Sequence, residues 1–130
     1  MNGRIIIDTQ AFLDLRGGHP RLSSQAKKCF LDPQNEIFLS IASVWEIQIK
    51  VALKKLQLGV PVPELVQSAL VSGSVKLLPV ELDHIYALGD LPFHHKDPFD
   101  RLIMAQAIFE KMSILSADPS LDGYGVERKW

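Results

Sequence analysis

Residues 4–8 read RIIID, a run of three isoleucines that ends at an acid. A short, continuous apolar run of this kind is typical of a strand buried on both faces of a sheet. Further strands are predicted at residues 36–39, 75–78 and 113–116, with a short edge strand at 126–129. Helical patterns separate the strands, which indicates a parallel sheet covered on both faces. The sequence therefore predicts an α/β fold with three α/β/α layers and a mostly parallel sheet of four to five strands.

Two of the predicted helices matter most for function. Ser40 caps a long helix that runs to about Lys55 and carries an apolar stripe at helical spacing. Asp97 caps a later helix, with Pro98 at its first position. Both helices follow or precede predicted strands, so their N-terminal turns are expected to lie near one edge of the sheet.

The composition indicates a single domain that spans residues 1–130. With 47% hydrophobic and 22% charged residues, the chain can bury a core without disulfides or structural metal. Its one cysteine, Cys29, excludes an internal disulfide framework and fits a cytoplasmic location. No signal peptide and no membrane-spanning apolar run is evident, so no membrane association is expected. The formal net charge of -1 does not by itself favour a nucleic-acid binder.

Four acids that are distant in sequence fall where a strand gives way to a helix, or just inside a helix: Asp8, Glu46, Asp100 and Asp118. In a parallel sheet these positions lie along one edge, so the four carboxylates are expected to converge. At about 5 Å and an effective dielectric of about 20, two such charges repel by roughly 3 kcal/mol. Protonation or a hard divalent cation relieves that repulsion. Oxygen ligands without histidine or thiol favour Mg²⁺ or Mn²⁺, which suits phosphodiester hydrolysis.

Each acid also has a simpler explanation. Asp8 and Asp118 could cap the helices that follow them, and Asp100 could share a capping arrangement with Asp97. Glu46 could form an exposed i,i+4 pair with Lys50. Capping and surface pairing do not require convergence in space, so the shared site remains the preferred interpretation of the set.

Hydroxyl side chains accompany the acids at Thr9, Ser40, Ser43 and Ser116. They could orient ligands or water around a metal, although hydroxyls at helix starts often serve only as caps. Asp97 is a possible auxiliary acid for which the capping role is favoured.

Basic residues near the acids are expected to form a positive rim. Lys50 and Arg101 are candidates to hold the phosphates of a phosphodiester substrate. His94 and His95 are assigned to the same rim and not to a metal, because adjacent histidines rarely bind one ion. A solvated helix face is an equally good explanation for the lysines. Other aspartates are assigned to the surface or to turns: Asp14, Asp83, Asp90 and Asp122.

Four segments carry a resemblance to a known family: IIIDT at 5–9, SIASVWEIQIK at 40–50, HHKDPFDRLIMAQA at 94–107 and SAD at 116–118. They resemble the PIN domain, and more specifically the VapC-type toxins of prokaryotic type II toxin–antitoxin modules. The resemblance covers essentially the whole chain. It implies a Mg²⁺- or Mn²⁺-dependent endoribonuclease that cuts a cellular RNA, is neutralised by a cognate antitoxin and commonly forms a homodimer.

By position, the resemblance assigns the family's acidic site to Asp8, Glu46, Asp100 and Asp118. Two positions depart from the pattern, since Gln10 replaces a frequent histidine and Ser116 a frequent threonine. Neither change removes a carboxylate.

Two other functions remain open at the level of sequence. A receiver-type signalling domain also gathers acids around Mg²⁺ at a sheet edge, but it would show paired acids near the first strand and a lysine after the last. A catalytically silent relative would bind only its partner or RNA.

Overall fold

The computed structural model describes residues 3–130, so the first two positions of the predicted domain lie outside it. The strands are β1 Gly3–Ile7, β2 Asn35–Ser40, β3 Lys76–Leu78, β4 Ser113–Leu115 and β5 Arg128–Lys129. Within residues 3–130 they form a five-stranded sheet in the order β3-β2-β1-β4-β5, and every pairing is parallel. The predicted sheet is confirmed, and it is parallel throughout the described range.

The helices are α1 Thr9–Gly17, α2 Ser24–Leu31, α3 Ile41–Ala52, α4 Val62–Val71, α5 Leu82–Gly89 and α6 Pro98–Glu110, followed by a 3₁₀ helix at Pro119–Tyr124. Among residues 3–130, no helix combines the length and the apolar character needed to cross a membrane.

The three isoleucines of β1 explain the layering. Ile5, Ile6 and Ile7 are all fully buried, as expected for a central strand. Because side chains alternate along a strand, Ile5 and Ile7 pack on one face, in the core that also receives α1, α2, α3 and α4. Ile6 packs on the other face, mainly against α6. The three-layer α/β/α architecture is therefore confirmed.

The predicted bounds of β2, β3 and β4 differ from the structure by one residue, and two other boundaries differ by more. The helix predicted to run from 40 to about Lys55 ends at Ala52, because the chain turns through Lys54 in the left-handed region at φ 60. The edge strand predicted at 126–129 is reduced to Arg128–Lys129, which pair with Ile114 and Leu115 of β4.

The central position of β1 determines where the site forms. Its neighbours are β2 and β4, so the residues that follow these three strands meet at one edge of the sheet. The chain leaves β1 at Asp8, whose backbone N–H donates to the carbonyl of Leu115 at 3.1 Å. This bond extends the β1–β4 ladder and fixes the start of α1 beside the end of β4.

Candidate active site

The C-terminal edge of the sheet carries the four predicted acids on neighbouring elements. Asp8 follows β1 and caps α1, accepting the backbone N–H of Ala11 at 2.7 Å. Asp118 follows β4 and caps the 3₁₀ helix, Asp100 lies in the first turn of α6, and Glu46 lies in the second turn of α3. All four line one open cavity of about 430 Å³. The structure therefore brings the four acids together, and the capping explanations hold for Asp8 and Asp118 at the same time.

Burial makes two of these carboxylates resist ionisation. Desolvation raises the pKa of Asp8 from its ordinary 3.8 to about 6, although hydrogen bonds, foremost from Ser116, oppose the rise. Desolvation also raises the pKa of Asp100 to about 7, and the negative charges of Asp97, Asp8 and Glu46 add to it. A cation in the cavity would reverse both effects by favouring the charged forms.

Asp118 lies nearer to solvent, with 37% of its side chain exposed. Partial burial raises its pKa, but hydrogen bonds from the side chain and backbone of Ser120 and from His95 outweigh that effect. The pKa of Asp118 is consequently held below its ordinary value. This carboxylate stays charged under conditions in which Asp8 and Asp100 hold protons.

Glu46 is buried and held from two sides. Its Oε1 accepts the hydroxyl of Thr9 at 2.7 Å, and its Oε2 lies 2.7 Å from Nζ of Lys50. Ser43 is hydrogen-bonded to the Thr9 hydroxyl at 2.9 Å. The i,i+4 pair of Glu46 with Lys50 is present, as the simpler explanation of Glu46 predicted. Glu46 is nevertheless only 4% exposed, and it lines the acidic cavity. Thr9 therefore holds Glu46 in place, and Ser43 supports Thr9. Both hydroxyls lie beside the acids, as the sequence predicted.

Ser116 and Asp97 stand beside the acids, as expected. The Ser116 hydroxyl is fully buried and donates to Oδ2 of Asp8. Asp97 accepts the backbone N–H groups of Phe99 and Asp100 at 2.8 and 3.2 Å, which confirms it as the cap of α6. Its carboxylate also lines the cavity, where its charge raises the pKa of Asp100.

His95 lies inside the acidic cluster, contrary to the rim position expected from sequence. Its Nε2 is 3.0 Å from Oδ2 of Asp118 and 3.4 Å from Oδ2 of Asp100. The ligand atoms of these three residues all lie within 4.8 Å of one another. His94, by contrast, points away and packs its ring against Tyr124 at 5.1 Å. The position of His95 could have been predicted from its closeness in sequence to Asp97, because Asp97 caps α6 and so places this loop beside the helix turn that carries Asp100.

Arg101 does not form part of a positive rim. Its side chain is 8% exposed, and its guanidinium donates to the carbonyl oxygens of Pro92 and Leu91 at 2.8 and 3.4 Å. The guanidinium carbon also lies 4.1 Å from the ring centroid of Phe93. Arg101 therefore secures the loop before α6, and its burial does not fit the predicted role in holding RNA phosphates.

Asp14 is a lining residue that sequence reasoning assigned wrongly to the surface or a turn. It is 3% exposed on α1, accepts a bidentate pair from Arg21 at 2.7 and 3.1 Å, and accepts from Gln10 at 2.9 Å. Both Asp14 and Arg21 line the acidic cavity. The predicted exposure of the remaining aspartates is confirmed for Asp83, Asp90 and Asp122.

The donor set suits a hard divalent cation. Among residues 3–130 the cavity is lined by six carboxylates and by two cations, Arg21 and Lys50. Each carboxylate oxygen has two lone pairs, and the hydrogen bonds of Asp8 occupy one on each oxygen. Oδ1 of Asp100 receives no hydrogen bond from the described residues. Oxygen lone pairs thus remain on both aspartates for an ion such as Mg²⁺ or Mn²⁺.

Comparison with known proteins identifies the family. The family model described as "PIN domain" matches residues 5–126. A comparison with curated protein sequences gave no match. Among solved structures, a FitAB complex bound to an IR36 DNA fragment is similar at 20% identity and a TM-score of 0.69, covering 95% of this chain and 92% of that one.

Two further solved structures share the fold. VapBC2 from Rickettsia felis, bound to a DNA fragment from its promoter, is 15% identical with a TM-score of 0.69, covering 98% and 99% of the two chains. VapBC-1 from nontypeable Haemophilus influenzae is 14% identical with a TM-score of 0.65, covering 96% of each. At these identities the likeness concerns the fold. Because the family model spans almost the entire sequence, the chain belongs to the PIN domain family.

Proposed function

We propose that the protein is a metal-dependent endoribonuclease, the toxin of a type II toxin–antitoxin module. The observation that carries the proposal is the convergence of Asp8, Glu46, Asp100 and Asp118 in one cavity, with the pKa of two of them raised to about 6 and about 7. Membership of the PIN domain family supports a nuclease. Raised pKa values at converging acids are typical of sites that work on a bound cation or a proton.

Asp8, Asp100 and Asp118 are proposed to hold Mg²⁺ or Mn²⁺, with Glu46 completing the acidic site. When bound, such an ion lowers the pKa of a water molecule and neutralises charge on a phosphodiester. Asp8 and Asp100 offer oxygen lone pairs from fixed helix-cap and first-turn positions. Glu46 is immobilised by Thr9, so it needs little reorganisation to orient a ligand.

Two half-exposed cations at the cavity are proposed to hold the RNA backbone. The side chains of Lys50 and Arg21 are 42% and 46% exposed, and both line the cavity. Each is tethered by an acid, Lys50 by Glu46 and Arg21 by Asp14, so each is oriented before RNA arrives. Arg21 takes the place that sequence reasoning gave to Arg101, because Arg21 is half-exposed at the cavity, whereas the guanidinium of Arg101 is buried against the carbonyl oxygens of its loop.

Cleavage of RNA by the purified protein tests the proposed activity. Structured RNA should be cut in the presence of Mg²⁺ or Mn²⁺ and should remain intact in EDTA. Asp8→Asn and Asp100→Asn should abolish cleavage while keeping the fold, whereas Asp83→Asn, an exposed acid on α5, should cut at the wild-type rate. Undiminished cleavage by both site variants would assign the activity to a contaminant or another site.

A cognate antitoxin is proposed as the partner that restrains this activity in the cytoplasm. The proposal is supported by the fold that the chain shares with VapBC2 and VapBC-1. Expression of the chain alone should arrest growth, and co-expression with the small reading frame beside its gene should restore it. Equal growth in both cases would refute the toxin assignment and leave the nuclease activity to be judged separately.

A homodimer is proposed as the working form of the protein. Support comes from α6 and from α3 and α5, each of which packs against α6; all three helices leave large apolar side chains exposed. Trp45 on α3 is 58% exposed, Leu82 on α5 64%, and Phe109 on α6 46%. Light scattering should give twice the mass of the chain, and Trp45→Glu should give the monomer mass if this surface is the interface. A monomeric wild type would contradict the proposal.

A further inference from the structure

The two ring nitrogens of His95 have partners of opposite kinds. Nδ1 accepts the backbone N–H of Asp97 at 3.0 Å, whereas Nε2 faces Oδ2 of Asp118 at 3.0 Å and Oδ2 of Asp100 at 3.4 Å. A nitrogen that accepts an N–H must present its lone pair, so Nδ1 carries no proton. The ring proton therefore lies on Nε2, which donates it to Oδ2 of Asp118, and Oδ2 of Asp100 lies close to the same nitrogen.

The loop that carries His95 is anchored to the element that carries Asp118. The backbone N–H of His95 donates to the Tyr124 hydroxyl at 2.9 Å, and Tyr124 ends the 3₁₀ helix that Asp118 caps. The His94 ring packs on Tyr124 and lies so close to Gly123 that a Cβ there would be 3.0 Å from the ring. These contacts fix the distance between the His95 imidazole and Asp118.

We propose that His95 is a positioning residue of the acidic site, a donor through Nε2–H that holds Asp118 beside Asp100 and does not itself bind the metal. The inference rests on the metal site of the proposed function. A histidine that binds a metal through Nε2 must present a lone pair there. That would require moving the proton to Nδ1 and losing the hydrogen bond to Asp97.

The arrangement leaves the aspartates able to bind an ion. His95 engages only the Oδ2 atoms, and Oδ1 of Asp100 has no donor among residues 3–130. The Oδ1 atom of Asp118 is occupied by the backbone N–H and the hydroxyl of Ser120 at 2.9 and 2.7 Å. Asp118 is therefore hydrogen-bonded on both oxygens before any ion is present, and Asp100 lies beside it with Oδ2 at 3.4 Å from Nε2 of His95.

The tautomer of His95 can be measured directly by NMR. Protein labelled with ¹⁵N-histidine should show at about pH 8 a ring with its proton on Nε2, both without metal and with saturating Mg²⁺. Two of the other three histidines share this pattern, because Nδ1 of His19 accepts the backbone N–H of Arg21 at 3.1 Å and Nδ1 of His84 accepts that of Glu81 at 2.9 Å. The His95 signals are identified by their loss in His95→Gln. A proton on Nδ1 in the Mg²⁺-bound protein would overturn the proposal.

Titration with Mn²⁺ provides the second readout. His95→Ala should weaken Mn²⁺ binding by about 10- to 100-fold, the usual effect of losing a residue that orients metal ligands. His95→Gln keeps an N–H donor near the position of Nε2 and should restore affinity to within about threefold of the wild type. Asp83→Asn, an exposed acid on α5 away from the site, is the control and should bind Mn²⁺ as the wild type does. Unchanged affinity in His95→Ala would refute the positioning role.

A third variant covers the case in which His95→Ala does not fold. Tyr124→Phe removes only the hydroxyl that holds the His95 backbone, and should weaken Mn²⁺ binding by about threefold or more. Wild-type affinity in this variant would count against the anchored loop. Failure of the wild type to cut RNA would refute the nuclease and leave both the NMR and the Mn²⁺ results interpretable.

Discussion

Replacing Asp8 with asparagine removes a carboxylate charge whose burial destabilises the metal-free protein. The pKa of Asp8 is raised from its ordinary 3.8 to about 6, chiefly by desolvation. At 1.36 kcal/mol for each pH unit, this rise corresponds to about 3 kcal/mol. The folded state binds the proton of Asp8 more tightly than the unfolded state does, so protonation of Asp8 stabilises the fold. This stabilisation is complete below about pH 4 and is lost as the pH rises through about 6.

Asparagine can keep the local geometry of Asp8 without the charge. Its side-chain oxygen can accept the N–H of Ala11, as the cap of α1 requires, and its amide group can donate to the Ser116 hydroxyl. Asp8→Asn should therefore be more stable than the wild type at about pH 8 without metal, by up to about 3 kcal/mol. For a chain of this length, that corresponds to a rise in Tm of roughly 10 °C.

Thermal unfolding followed by circular dichroism measures the effect. The wild-type Tm should fall between about pH 4 and pH 8 in EDTA and recover on addition of Mg²⁺ or Mn²⁺. Asp8→Asn should depend less on pH and gain little from the metal, while Asp90→Asn, an exposed acid after α5, should follow the wild type. A lower Tm for Asp8→Asn at about pH 8, with a wild-type Tm that metal does not raise, would refute the reasoning.

Three further predictions concern the residues around the acids. Ser116→Ala removes a hydrogen bond that lowers the pKa of Asp8. Mn²⁺ titrations should therefore show binding weakened by about 10- to 100-fold, and the affinity should recover at higher pH. Ser116→Thr keeps the hydroxyl and should bind Mn²⁺ as the wild type does. Thr9→Val leaves Oε1 of Glu46 without its donor; urea unfolding should show a loss of about 1–3 kcal/mol, and RNA cleavage should fall. Arg101→Ala should cost about 2–4 kcal/mol in the same urea assay, with RNA affinity unchanged in the folded fraction; reduced RNA affinity at full stability would contradict its structural role.

The fold follows from local patterns in the sequence because the central strand and its neighbours differ clearly from the helices. The run Ile5-Ile6-Ile7 can only be buried on both faces, and that fixes a sheet covered by helices on each side. The convergence of the acids then follows from the parallel topology, since the chain leaves β1 at Asp8 and leaves β4 just before Asp118. The contact between Lys50 and Glu46 was also predictable, because the two residues lie one helical turn apart on the same face of α3.

The residues that sequence reasoning misplaced depend on contacts between distant segments or on the rotation of a helix. Asp14 is buried because Arg21 reaches back to it from the loop after α1, a contact that no local pattern shows. His95 enters the site because Tyr124, far along the chain, holds its backbone. Arg101 follows Asp100 on α6 and so points about 100° away from it, which directs it into the loop and away from the cavity.

The position of a bound cation tests the account most directly. A crystal of the protein soaked in Mn²⁺ should give an anomalous scattering peak between the carboxylates of Asp8, Asp100 and Asp118, at about 2.0–2.3 Å from their oxygens. The same map should show Nε2 of His95 on Asp118 and outside the coordination sphere. A peak elsewhere on the molecule, or none at an Mn²⁺ concentration that supports cleavage, would contradict a shared metal site at this edge of the sheet.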